Sequence, residues 1–200
     1  QSAGTKILSV SGDCARPGVY EYPLGVSVAQ VLHDCGAHEP QAVQVGGPSG
    51  TCLAAPEFKR RLGFEDVPTA GAFMVFGAQR DMFEVAHHFA QFFAHESCGF
   101  CTPCRVGTQL VLRRMDKLAL GHGSPWDLHE LHALEQLMHG TTHCGLGATA
   151  THALRDTLQR FGPAFAARSP QAHLVPGFDL DAELAPARRA TGRNDAQAHL

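Results

Sequence analysis

The sequence predicts an α+β protein in which a small mixed-sheet module precedes a four-helix bundle. Up to residue 78 the chain alternates short β-rich runs with Gly/Pro turns, whereas from Asp81 the apolar residues recur at helical spacing. The connections between successive helical stretches are also short, which favours antiparallel neighbours.

Each element has its own signal. KILSVSG (6–12) and GVYEY (18–22) read as strands joined by DCARPG, a hairpin-like pair. SVAQVLHDCG (27–36) reads as a short helix with Ser27 as N-cap and Gly36 just past its end. AVQVGG and AFMVFG supply two further strands, separated by a stretch containing GPSG and EDVPTAG. DMFEVAHHFAQFFAHE opens the helical part with an acidic cap and carries Met82, Val85, Ala86, Phe89, Phe92 and Phe93 on a broad apolar stripe that must pack against something. The second helix starts at Thr102 and Pro103, a cap followed by the favoured first helical residue, and stops at Gly121. The third repeats that pattern with Ser124, Pro125, Asp127 and Gly140. A fourth, TATHALRDTLQRF (149–161), places Leu154, Leu158 and Phe161 on one side before Gly162 and Pro163 interrupt it. Beyond about residue 168 the chain turns rich in Ala, Pro, Arg and Asp, as expected of a tail or docking arm pinned by Leu174, Val175, Phe178 and Leu180. The expected organisation is therefore residues 1–78, 79–168 and 169–200.

Composition narrows the function. Sixteen basic residues against nineteen acidic ones leave no basic stripe for nucleic acid. The N-terminal QSAGTKILSV has no signal-peptide pattern, and no apolar run is long enough to span a bilayer. A cytoplasmic chain with neither nucleic-acid binding nor membrane insertion is expected. Seven cysteines, an odd number with three close together, read as metal ligands plus scattered core thiols rather than a disulfide framework.

Three of them, Cys98, Cys101 and Cys104, fall at intervals of three in ESCGFCTPCRVG, between one helix and the start of the next. Gly99 and Pro103 allow that segment to fold tightly. The single downstream cysteine, Cys144 in THCGLG, lies in a Gly-rich link that can reach the same end of a bundle. A close-set C-x-x-C-x-x-C run with a remote fourth cysteine is a common arrangement for a [4Fe-4S] cluster, and amides at a helix start favour an anion there. Zinc also accepts four thiolates, usually from two separate C-x-x-C pairs, and stays open as the structural metal of a non-catalytic binding module. Cys14, Cys35 and Cys52 read as core or turn thiols. VGGPSG (45–50) has no following helix to make a phosphate site, and Ser49 lacks the G-x-S-x-G elbow. His129, His132, Glu135 and His139 share a helix face without an H-E-x-x-H motif, so a solvated polar face is expected. Arg105 either offsets cluster charge or is an ordinary surface side chain.

ESCGFCTPCRVGT, with HCGLG forty residues later, resembles the iron-sulfur end of the flavin-bearing subunit of respiratory complex I and its relatives. Those relatives are soluble NAD-reducing hydrogenases, NAD-dependent formate dehydrogenases and electron-bifurcating hydrogenases. The resemblance covers about residues 4–168, and the ending LVPGFDLDAEL is similar to the tail of the hydrogenase diaphorase branch. It implies a ubiquitin-like, soluble-ligand-binding β-grasp domain for the first module. It also implies a four-helix domain in which Cys98, Cys101, Cys104 and Cys144 ligate a [4Fe-4S] cluster. The family binds FMN and NAD(H) upstream through a GRGGAGFP-like loop that these 200 residues lack. The resemblance therefore implies the C-terminal part of a longer or split subunit of an NAD-linked oxidoreductase. Its partners would be a flavin- and NAD-binding domain and an iron-sulfur electron-transfer subunit, and no catalytic side chain is expected in the chain itself. The loop 143–147 would lie near the flavin.

Overall fold

The computed structural model describes residues 2–177 and 180–193. Strands β1 (Thr5–Gly12) and β2 (Gly18–Pro23) form an antiparallel hairpin in which Ser9 faces Val19. Helix α1 (Val28–Asp34) follows, its N-cap Ser27 accepting the Gln30 amide at 3.2 Å. Strands β3 (Pro40–Val45) and β4 (Thr51–Ala54) pair antiparallel, and β5 (Ala72–Gly77) returns between β1 and β3, parallel to the former and antiparallel to the latter. The resulting order β2-β1-β5-β3-β4, with one helix crossing the sheet, is the β-grasp arrangement.

Strand β4 is the element the sequence does not announce. TCLA is short and does not alternate, because Cys52 and Leu53 are buried on opposite faces of the sheet. On one face Leu53 joins Leu8, Val43, Val45, Phe73 and Val75 beneath Val28, Val31 and Leu32 of α1. On the other, Cys52 and Ala42 pack against the helical half. The turn before β4 requires Gly50, where a Cβ would lie 1.8 Å from the Val45 carbonyl oxygen.

The helical half comprises α2 (Met82–Glu96), α3 (Thr102–Ala119), α4 (Pro125–Thr141), α5 (Gly145–Thr149), α6 (His152–Arg160) and α7 (Gly162–Ala166). The broad stripe on α2 is broad because it serves two cores. Phe83, Ala86, Ala90 and Phe93 pack with Met115, Leu118, Leu131, Met138 and Phe165 inside the bundle. Met82, Val85 and Phe89 instead cover the sheet beside Cys52 and Ala153. Phe92 departs from the expected stripe and is exposed. The expected fourth helix is also corrected: it begins at His152, and the preceding Gly-rich link is itself helical as α5.

Polar contacts lock the bundle internally and against the sheet. Lys117 places its ammonium 2.7 Å and 2.9 Å from the two Asp127 carboxylate oxygens, where Asp127 is fully buried and also accepts both the Ser124 hydroxyl and amide. Burial alone would raise the Asp127 pKa, but the Lys117 and Ser124 hydrogen bonds outweigh it and hold the carboxyl below the ordinary aspartate value. Between the halves, the Asp156 carboxylate accepts the Cys52 amide at 3.0 Å, and Arg160 grips Glu57 at 2.5 and 2.9 Å.

After α7, Val175 sits in a groove with Arg113, Lys117 and Leu120, whereas Leu174 is exposed and so does not pin the tail. Leu180 begins α8 (Leu180–Thr191), which buries none of its residues; Phe178 lies outside the described residues. Among the described residues, no helix is long and apolar enough to cross a membrane.

Candidate metal centre

The α2–α3 connection owes its shape to a few residues. Ser97 ends α2 in an extended conformation, and Gly99 then takes φ +77°, a left-handed turn that glycine adopts without strain. The Arg105 guanidinium, from the first turn of α3, donates to the Gly99 carbonyl at 2.8 Å and closes the loop on itself. Arg105 thus has a structural role in the loop and also places a positive charge beside the cysteines.

Cys101 is the N-cap of α3, and Cys104 lies one turn in, after Thr102 and Pro103. Cys98 is exposed, Cys101 half-buried and Cys104 buried. The backbone amides of His143 and Cys104 point at the Cys101 sulfur and, with the Arg105 charge, hold its pKa below the ordinary thiol value. The Cys104 sulfur faces the Ser97 hydroxyl at 3.4 Å. The lowered pKa favours the thiolate of Cys101, the form a metal requires.

Cys144 is exposed and is the N-cap of α5. Its segment is held from both sides. The Thr142 hydroxyl donates back to Met138 at 2.8 Å, and the His143 ring lies 5.7 Å from that of Phe100 in the facing loop. Together with the His143 amide on Cys101, this brings the segment carrying Cys144 against the 98–104 loop. Gly147 lets the turn that carries Cys144 close tightly on itself, since a Cβ there would come within 2.7 Å of Thr142 Cβ. Among the described residues, no three His, Cys, Asp or Glu side chains are gathered tightly enough to hold a single metal ion. All four thiols are free.

The remaining cysteines lie elsewhere. Cys35 and Cys52 are fully buried, and burial pushes their thiols up to about 11 and about 12 respectively, while Cys14 is half-buried against the sheet core. VGGPSG runs into β4 and not into a helix. The expected solvated face of α4 holds for His129, His132 and His139, but not for Glu135. Glu135 is buried 3.8 Å from Arg155, and His139 donates to the Ala148 carbonyl of α5 at 3.3 Å. Ser97, Phe100 and His143 are the contributors that spacing alone did not single out. Their signal is adjacency to a cysteine, which carries no chemistry until the loops meet.

The molecule is thus a β-grasp sheet backed by helices, with four free thiols carried by the helix connections and the first turn of α3. Residues 84–168 carry the NADH-ubiquinone oxidoreductase-F iron-sulfur binding region, the family to which this part of the chain belongs. The chain is homologous to the NAD-reducing hydrogenase HoxS subunit alpha of Cupriavidus necator, 40% identical over 186 residues that make up 92% of the chain and 31% of the relative. It is also homologous to an NADH-quinone oxidoreductase subunit of Rhizobium meliloti, 32% identical over 84% of the chain and 42% of the relative. A crystal structure of NAD+-reducing [NiFe]-hydrogenase in the H2-reduced state superposes on the whole chain with a TM-score of 0.87 and 46% identity, over 35% of that chain. The chain thus spans about a third of the length of the first relatives it matches.

Proposed function

We propose that Cys98, Cys101, Cys104 and Cys144 hold one [4Fe-4S] cluster, and that the chain is the electron-transfer portion of an NAD-linked oxidoreductase of the NAD-reducing hydrogenase type. The observation that carries this is the meeting of the two cysteine loops through the His143 amide on Cys101 and the Phe100–His143 ring contact. Bound there, the cluster supplies one-electron redox chemistry. The chain's residues do the rest. The α3 N-terminus and Arg105 offset negative charge, the His143 and Cys104 amides favour the thiolate of Cys101, and Gly99 and Gly147 let each cysteine-bearing segment turn tightly. Cys98 and Cys144 leave one side of the site exposed, where a redox neighbour can come close.

The relatives' names support the wider setting. The names describe an NAD-linked reaction; the family resemblance adds FMN beside NAD(H) on an adjoining domain, with electrons passing through this site to further iron-sulfur clusters on another subunit of a cytoplasmic complex. Residues 1–78 would act as the β-grasp domain, 79–168 as the iron-sulfur domain and 169–200 as a docking arm, a division supported by separate cores in the sheet and the bundle. The test is anaerobic addition of NADH to the full-length parent protein with low-temperature EPR. A cluster signal should appear with NADH alone. A signal elicited by dithionite but not by NADH would sink the assignment to an NAD-linked path.

A further inference from the structure

We propose that Ser97 sets the redox potential of this site, its hydroxyl donating a hydrogen bond to the Cys104 sulfur that stabilises the reduced state over the oxidised one. The inference rests on the reading of Cys104 as a cluster ligand.

Ser97 is the C-cap of α2, and its backbone amide is already spent on the Phe93 carbonyl at 3.2 Å. Its hydroxyl has no part in that cap. The oxygen accepts the Gly99 amide at 3.4 Å and lies 3.4 Å from Cys104 Sγ. A hydroxyl has one hydrogen and two lone pairs. With a lone pair taken by Gly99, the hydrogen remains for the sulfur. A ligating cysteine is a thiolate and can only accept, so the direction of the bond is fixed. The left-handed turn at Gly99 folds its amide back onto Ser97 and so orients the hydroxyl.

Cys104 is 5% exposed, and its carbonyl is occupied by the Thr108 hydroxyl at 2.8 Å. Water therefore competes poorly for this sulfur, and a hydrogen bond in such surroundings is stronger than one in water. One added electron makes the cluster and its thiolates more negative, and a donor to sulfur stabilises that state more than the oxidised one. The donors to Cys101 are backbone amides that substitution does not remove. Ser97 is a side chain, so its effect can be deleted and restored. It is a positioning and tuning residue that touches the cluster only through Cys104.

The test is an EPR-monitored redox titration of the anaerobically purified, full-length, cluster-loaded protein as wild type, Ser97→Ala and Ser97→Thr, with iron and sulfide measured on each. Ser97→Ala should keep its iron and titrate at a lower midpoint potential, and Ser97→Thr, which keeps the hydroxyl, should return toward wild type. An unchanged potential in Ser97→Ala overturns the proposal. So does an equal shift in both variants, which would make side-chain shape the cause. Loss of iron from Ser97→Ala alongside a wild-type Ser97→Thr also overturns it, by assigning Ser97 to holding the loop. Absence of any cluster signal in the wild type would instead defeat the reading of Cys104 itself.

Discussion

Replacing Asp156 by alanine attacks the seam between sheet and bundle at a single buried carboxylate. Asp156 is 3% exposed; its Oδ2 accepts the Cys52 amide at 3.0 Å, and its Oδ1 lies 3.1 Å from Arg155 and 3.4 Å from Arg160. Cys52 is fully buried in the edge strand β4, so no water replaces the carboxylate, and the orphaned amide costs about 1–3 kcal/mol. The ion pairs add less. Arg160 keeps its two-point grip on Glu57, and Arg155 is more than a third exposed, so the lost pairing contributes about 0.2–1 kcal/mol. Asp156→Ala should therefore lower stability by about 1–4 kcal/mol, a fall of roughly 2–16 °C in Tm for a protein of this size. Asp156→Asn keeps the shape and an acceptor for Cys52, and should cost about half as much. Urea denaturation gives the free energies, and hydrogen exchange at the Cys52 amide shows whether the opening is local. An alanine variant within about 0.5 kcal/mol of wild type, or an asparagine variant as costly as alanine, would show that this carboxylate does not hold the seam.

Two further perturbations follow from the geometry. Gly147→Ala places a methyl 2.7 Å from Thr142 Cβ, in the turn carrying Cys144, and should cost about 1–3 kcal/mol by overpacking while lowering iron content; a variant normal in both melting and iron would show that this turn does not hold Cys144 in place. Acid should also destabilise the fold through two depressed carboxyls, Glu57, held at about 2 chiefly by Arg160, and buried Asp127. Their contribution is complete above the ordinary values of 4.5 and 3.8 and is lost as pH falls toward the lower folded values, because the unfolded chain then takes up protons that the folded one does not. Lys117→Met should remove about 3 kcal/mol at neutral pH and flatten this acid limb. A melting-temperature series from pH 7 to 3 checks both, and an unaltered acid limb would show that Lys117 does not hold the Asp127 charge.

Much of the fold was legible in the sequence, for identifiable reasons. Caps at Ser27, Asp81 and Ser124 bound α1, α2 and α4 because a cap is a local hydrogen-bonding event that needs no partner element. Strand β4 was hidden because its two buried residues serve different cores, a tertiary fact that erases alternation. The width of the α2 stripe announced burial but not its division between sheet and bundle. Glu135 read as solvated because nothing local reveals that Arg155 of α6 lies opposite. At the centre, spacing marked the cysteine loop and the remote Cys144. The contribution of His143 needed the fold, since it acts through a backbone amide that has no sequence signature.

Whether the two loops together hold one four-iron cluster is decided by iron and acid-labile sulfide analysis with low-temperature EPR on the anaerobically prepared protein and its Cys144→Ala variant. Four irons and four sulfides per chain are expected in the wild type, and a three-iron or labile cluster when the remote thiolate is removed while the other three remain. One zinc per chain with no sulfide, or a Cys144→Ala protein with an unchanged four-iron spectrum, would contradict the shared site.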